Sequence, residues 1–316
     1  MSSSPHPARR VAARAERKRQ PRRRTNPRLH AGMTCEAAFR VIARSCLDDL
    51  TETHQATCRG DHPALHEMRV ALTRLRAAIS FFSPMVVDSE WIRLKRELKW
   101  LNARLGATRD MDVAVERLQE IRKRQPRMIS DDRSWQKKCS DSHRQLTRAL
   151  RSARYRRLIK SATDWVEDGS WSTKREEHAA KRRAAAVTRY GTRKLARWHE
   201  KLLSKSHRLE DMGAKKRHRL RLANKRLRYS IEFLAGLLAG NSSSMHATLK
   251  HLRRAQDALG ELNDASKRPT MAATLERHAS PRGESSLFLA LKREKQLIRG
   301  AARAYRKMDA LKPLYS

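Results

Sequence analysis

Two stretches of the sequence concentrate side chains that bind anions. In the first, His66, Arg69, Thr73 and Arg76 each directly follow an apolar residue, Leu65, Met68, Leu72 and Leu75. At about 100° per residue these four fall within roughly 80° of helical arc, on the flank of the apolar stripe rather than opposite it. The second stretch repeats the arrangement with His218, Arg221, Lys225 and Arg228, beside Leu220, Leu227 and Ile231. Guanidinium groups offer forked donors to phosphate-like oxygens, and ammonium groups act as point charges. An imidazole, with an ordinary pKa near 6.5, gains a proton readily beside an anion. Plain solvent cover is the bland explanation, and a lone histidine is more often an interfacial residue than a ligand. Solvent cover, however, would mix signs and pair Glu with Lys. These stripes are almost free of acids, and both carry a histidine at the head.

The next helical stretch in each half obeys the same rule. Lys95, Lys99 and Asn102 follow Leu94, Leu98 and Leu101, while Lys250 and Arg253 follow Leu249 and Leu252. Chemistry of other kinds finds little support. General acid–base work needs paired carboxylates or an oriented histidine. The only tempting pair, Asp110 and Asp112, follows Arg109 just past Gly106, where capping or ion pairing is expected. The nucleophile-elbow, zinc-protease, Walker and dinucleotide motifs are all missing. No catalytic residue and no cofactor is therefore assigned. Cys35, Cys46, Cys58 and Cys139 include no CxxC spacing, so neither a disulfide framework nor a metal site is expected.

The elements that position these residues are helices. Across 316 residues the formal net charge is +39, and aromatic residues make up only 5%, a poor basis for a β-sandwich or barrel. Apolar residues recur at spacings of three and four, which predicts eight to ten helices and almost no strand. Gly and Pro at Pro84, Gly106, Pro126, Gly169, Gly213, Gly240, Pro269 and Pro281 to Gly283 are expected to end the helical runs. No apolar run approaches the roughly 18 residues needed to cross a membrane, and the cytoplasm is the expected compartment. Residues 1–28 carry ten Lys or Arg in the stretch from Arg9 to Arg28 against the single Glu16, and predict a disordered basic tail. A nucleic-acid arm, a membrane-surface arm and a transit peptide compete for that tail, against a plain solvated extension that weighs as much as the three together, and Met33 is an alternative start.

An internal repeat organises the remainder. His66/His218, Arg69/Arg221, Ala71/Ala223, Arg74/Arg226, Leu75/Leu227, Arg76/Arg228, Ile79/Ile231 and Phe81/Phe233 are identical at a constant offset of 152. A second block matches Leu98/Leu252, Leu105/Leu259, Gly106/Gly260 and Asp110/Asp264. Two copies of one helical unit, about 33–171 and 178–316, are expected to pack around a pseudo-twofold axis.

These residues resemble the CHAD family, the conserved histidine α-helical domain, over roughly 33–316. The motifs are Leu65-His66-x-x-Arg69-Val70-Ala71-Leu72-x-Arg74-Leu75-Arg76, Glu97 to Leu101 with Leu105-Gly106, and Arg109-Asp110-x-Asp112. The run from Arg151 to Trp171, His218 to Tyr229 and Gln256 to Asp264 complete the set. The resemblance implies an all-α fold of two antiparallel bundles, about four helices each, with a central basic groove that binds inorganic polyphosphate. It carries the family's basic positions onto His66, Arg69, Arg74, Arg76, His218, Arg221 and Arg228. The second-repeat Arg226 and Lys225, with the neighbouring Lys95, Lys99, Lys250 and Arg253, extend the expected lining. Thr73 departs from the family, which usually has a basic residue there, so the first half is expected to bind more weakly or to lean on Lys99. The Glu-x-Glu-x-Lys motif of the triphosphate-tunnel module often fused to the family is not found. The rival is a nucleic-acid-binding protein, which the charge favours. Single-strand binders stack bases on aromatics, however, and the stripes carry none; Tyr229 and Trp100 only adjoin them. Oligomeric state is not readable.

Overall fold

A computed structural model describes residues 27–124, 133–173, 176–266 and 283–311. Ten α-helices run through them: α1 (Cys35–Cys58), α2 (His62–Val86), α3 (Ser89–Arg124), α4 (Arg133–Arg151), α5 (Ala153–Asp168), α6 (Glu177–Ala184), α7 (Val187–Ser206), α8 (Ala214–Phe233), α9 (Ser242–Ser266) and α10 (Gly283–Asp309). A 3-10 segment, Ala235–Asn241, joins α8 to α9. The tail predicted over residues 1–28 lies outside the described residues except for Pro27 and Arg28, as do Pro126, Pro269 and Pro281.

Local sequence sets the helix starts. The side chains of Thr34, Asp61 and Ser152 accept hydrogen bonds from the backbone N–H three residues on, at 3.2, 2.8 and 3.3 Å. Such caps each contribute about 1 kcal/mol by satisfying an otherwise orphaned donor. Pro63 sits in the first turn of α2, where its missing N–H costs nothing. The apolar stripes then bury. Leu65, Met68, Leu72, Leu75, Ile79 and Phe82 all enter the core, and so do Leu220, Leu227 and Ile231.

Helices α1 to α5 pack together, with α1 lying along α2. Helices α7 to α10 form the second group, with α9 against both α8 and α10. The two groups meet where α2 packs against α8. They are tied again at the helix entries, where Cys35 N donates to Ala185 O at 2.9 Å and Val187 N donates to Met33 O at 3.0 Å. A lysine pins the same seam. The Lys194 Nζ on α7 donates to the Tyr190 hydroxyl at 2.8 Å and lies 5.6 Å from the Phe81 ring of α2. Tyr190 in turn donates to Phe81 O at 2.8 Å. Burial, with Arg197 and Arg182 nearby, pulls the Lys194 pKa down to about 8.

One expectation about helix ends is corrected. Gly106 does not end a helix; it lies in the middle of α3, and Gly260 lies within α9. An arginine of the neighbouring helix lies beside each glycine. A Cβ on Gly106 would stand 3.8 Å from Arg69 Nη1, and one on Gly260 would stand 3.8 Å from Arg221 Nε, both ordinary contact distances. Gly169 does end a helix, α5. A Cβ there would be 2.4 Å from Trp165 O and 2.7 Å from Trp171 Cδ1, a space no side chain fits.

That turn belongs to a buried hub. Asp88, between α2 and α3, accepts from Trp91 N at 2.7 Å, Trp165 Nε1 at 3.1 Å, Ser170 Oγ at 2.9 Å and Trp171 N at 3.1 Å. Trp171 stands edge-on to Phe39 of α1 at 5.2 Å. One carboxylate thus caps α3 and fixes how α5 returns onto α1. Replacing Asp88 by Ala leaves buried N–H donors without acceptors, so a loss of roughly 3 kcal/mol or more is expected in urea unfolding. Asp88→Asn, which keeps one acceptor, should lose less. A loss below about 1 kcal/mol for Asp88→Ala would show that the hub does not hold the fold together.

Candidate anion-binding site

Where α2 packs on α8, the two duplicated stripes come into electrostatic range of one another. Arg69, half-buried on α2, donates from Nη1 to Leu105 O at 3.3 Å and Gly106 O at 3.2 Å, at mid-length of α3. Burial lowers its pKa, and the charges of Arg109 and Arg221 add to that, opposed by Asp110 and Asp264. Arg221 lies over Gly260 in the equivalent way, and its buried Nε has no hydrogen-bond partner among the described residues. Lys225, one turn along from Arg221, is the most perturbed member. Burial first, then the charges of Arg221, Arg69 and Arg228, pull its pKa from its ordinary 10.5 down to about 8, with Asp264 alone opposing.

The cations therefore outnumber the nearby acids and repel one another. A drop of that size in the Lys225 pKa means that holding the charge at neutral pH costs the fold roughly 3 kcal/mol. The sign follows from proton counting. Between about pH 8 and 10.5 the unfolded chain binds more protons at this residue than the folded chain, so this contribution to stability rises with pH across that window.

The other expected lining residues divide into three groups. Arg76 is open to solvent, yet hemmed by enough protein to lower its pKa. His66 is exposed; His218 is also exposed, with Nδ1 at 2.7 Å from Asn263 Oδ1. Lys95, Lys99 and Lys250 are exposed, and among the described residues none of the three has an ion-pair partner.

The remaining arginines have internal partners. Arg74 is only 4% exposed, 3.7 Å from Glu232 and 5.1 Å from the Phe233 ring. Buried there, it braces α2 against α8 through Glu232. Its counterpart Arg226 is exposed and lies over Trp198 at 5.7 Å. Arg228 pairs with Glu232 at 2.6 Å and donates to Gln256 Oε1 at 3.1 Å, and Arg253 reaches the same Glu232 at 3.7 Å.

Glu232 is the residue that sequence reasoning missed, and it meets three of the thirteen expected lining cations. Its spacing of four from Arg228 was the available signal, since opposite charges one turn apart attract. Asp110 was expected to cap or pair, and its charge does act on Arg69. The two adjoining aromatics are occupied: Tyr229 is buried beneath Arg228, whose guanidinium is 4.2 Å from the ring, and Trp100 carries Arg154 at 4.3 Å. A cavity of about 560 Å³ lies elsewhere, lined by Ser206, His207, Glu210, Tyr305, Arg306 and Asp309. Among the described residues no helix is long and apolar enough to cross a membrane.

The fold agrees with known structures. The structure is similar to the crystal structure of the CHAD domain from the plant Ricinus communis, with a TM-score of 0.71 and 26% identity, over 93% of this chain and 98% of that one. It shares its fold with PptA from Streptomyces chartreusis, with a TM-score of 0.57 and 16% identity, over 88% of this chain and 98% of that one. Among curated proteins, none matches the sequence. Residues 41–273 match the CHAD domain, and the chain therefore belongs to the CHAD domain family.

Proposed function

We propose that this protein binds inorganic polyphosphate without chemical conversion, along a basic surface centred on Arg69, Arg221 and Lys225. The observation that carries the proposal is the gathering of Arg69 with Arg221 and Lys225, drawn from both repeats, where α2 packs against α8. Such a cluster is costly until a polyanion lies across it. A phosphate chain supplies one negative charge per unit and oxygens for forked guanidinium contacts. His66, His218 and Arg76 extend the surface at its exposed margins, and Lys95, Lys99, Lys250 and Arg253 add charge around it. Arg74 and Arg228 act as braces through Glu232 rather than as free ligands. The pseudo-twofold pairing of the repeats, at about 33–171 and 178–316, belongs to the same proposal, because it makes the surface continuous. The basic tail over 1–28 is taken as an accessory, and a cytoplasmic location at polyphosphate granules suits this activity.

Nucleic acid remains the competitor by charge. Single-strand binding draws about 1–3 kcal/mol per base from stacking on aromatic rings. Here the rings beside the stripes are covered by Arg228 and Arg154, which favours a ligand without bases.

Two outcomes are expected. In about 150 mM salt, long-chain polyphosphate should bind more tightly than single-stranded DNA of equal charge, with log K falling about 0.7 per log salt for each phosphate neutralised, by analogy with single strands. Arg221→Gln and Lys225→Gln should each weaken polyphosphate binding about 10- to 100-fold, with the helical circular dichroism unchanged. Tighter DNA binding would transfer the function to the rival, and unaltered affinity in the double variant would show that the binding surface lies elsewhere.

A further expected outcome concerns pH. Because the charged form of Lys225 is the one that binds, affinity should fall as pH rises through about 8, with proton uptake on binding near that pH. Lys225→Arg should flatten this step, since guanidinium stays protonated. An identical pH profile in the two proteins would mean that Lys225 does not touch the ligand.

A further inference from the structure

A second group of chemically active side chains lies in the first repeat, away from the cation cluster. Asp112, in the middle of α3, is fully buried. Its Oδ1 is 2.7 Å from His143 Nε2 and 3.5 Å from Cys139 Sγ, both on α4, and 3.6 Å from His62 Nδ1 in the first turn of α2. The two imidazoles stack, with ring centres 5.1 Å apart. Its other oxygen, Oδ2, is buried and has no hydrogen-bond partner among the described residues. The nearest cation, Arg109, is drawn to Glu116 at 3.0 Å and stays 3.9 Å from Oδ2.

An ordinary buried ion pair would satisfy the whole carboxylate, because an unpaired buried acceptor costs about 1–3 kcal/mol. Here two imidazoles and a thiol surround one oxygen while the other has nothing to accept. Nor does the repeat explain the group. The position matching His62 is Ala214 and the one matching Asp112 is Ser266, so the second half carries no copy.

We propose that His62, Asp112, His143 and Cys139 form a binding site for a divalent transition-metal ion of zinc-like chemistry. Two imidazole nitrogens, a carboxylate oxygen and a thiol sulfur are the mixed donor set that zinc takes in four-coordinate sites. Calcium and magnesium require shells of oxygen and are not matched. The donor atoms of His62, Asp112 and His143 lie within 4.8 Å of one another. Two ligands of one zinc ion lie at most about 4.2 Å apart, so a small closing movement is needed. His62, with its side chain 47% exposed, is free to supply it. Cys139 and His143 are one helical turn apart, so both face the ion from a single helix. A bound ion would give Oδ2 its missing partner and would staple α2, α3 and α4 together. The site is independent of polyphosphate, and the proposal departs from the expectation, based on the absence of CxxC, that the chain holds no metal.

The test is a zinc titration of the chelator-treated full chain against a chromophoric competitor, without polyphosphate. One zinc ion per chain is expected, together with a higher melting temperature in zinc. His62→Gln, at an exposed position that the fold tolerates, should weaken binding by about 100-fold. His143→Gln should do the same, while His207→Gln and His246→Gln should change nothing. Cobalt substituted into the site should show visible bands of tetrahedral coordination, with a thiolate charge-transfer band that Cys139→Ser removes. Failure of the wild-type chain to hold zinc against the competitor, or full binding by the His62→Gln variant, would overturn the proposal.

Discussion

Mutual repulsion among Arg69, Arg221 and Lys225 is the constraint around which the rest of the molecule is arranged. Three cations do not gather at a helix–helix contact unless stronger interactions hold them there. Apolar burial along α2 and α8 provides most of that force, because every stripe residue from Leu65 to Phe82 is in the core. Backbone carbonyls supply a second part. Arg69 rests on Leu105 O and Gly106 O, at mid-length of α3. Folding stability is thus spent on a cluster whose cations outnumber the acids near it.

The braces around this surface are as specific as the surface itself. Glu232 gathers Arg74, Arg228 and Arg253 from three helices, so part of the basic character is paired internally. Asp88 plays the corresponding part for the aromatic corner, joining Trp91, Trp165 and Trp171. Both carboxylates do the same physical work, since a single buried anion orients several donors at once. A net charge of +39 leaves few acids available, and those at the junctions are placed where one acid serves many partners.

Much of this was legible in the sequence because the signals are periodic. Spacings of three and four announce helices, and a constant offset announces duplication. Side-chain direction relative to distant helices is not periodic, and here sequence reasoning failed in specific ways. Arg74 carries the family's motif position, yet it is buried against Glu232 and Phe233. Gly106 looked like a terminator because glycine usually punctuates, whereas α3 runs straight through it. Cys139 and His143 held a readable turn-spaced pair, but the third and fourth partners, His62 and Asp112, lie far off in sequence and meet them only after packing.

The most direct measurement of the central claim is a crystal structure of the full chain with a short polyphosphate bound. The account predicts phosphate oxygens within hydrogen-bond distance of Arg69, Arg221 and Lys225 together, from both repeats on one continuous chain. Phosphate density confined to the margins at Lys95, Lys99 or Lys250, with the α2–α8 cluster untouched, would contradict it.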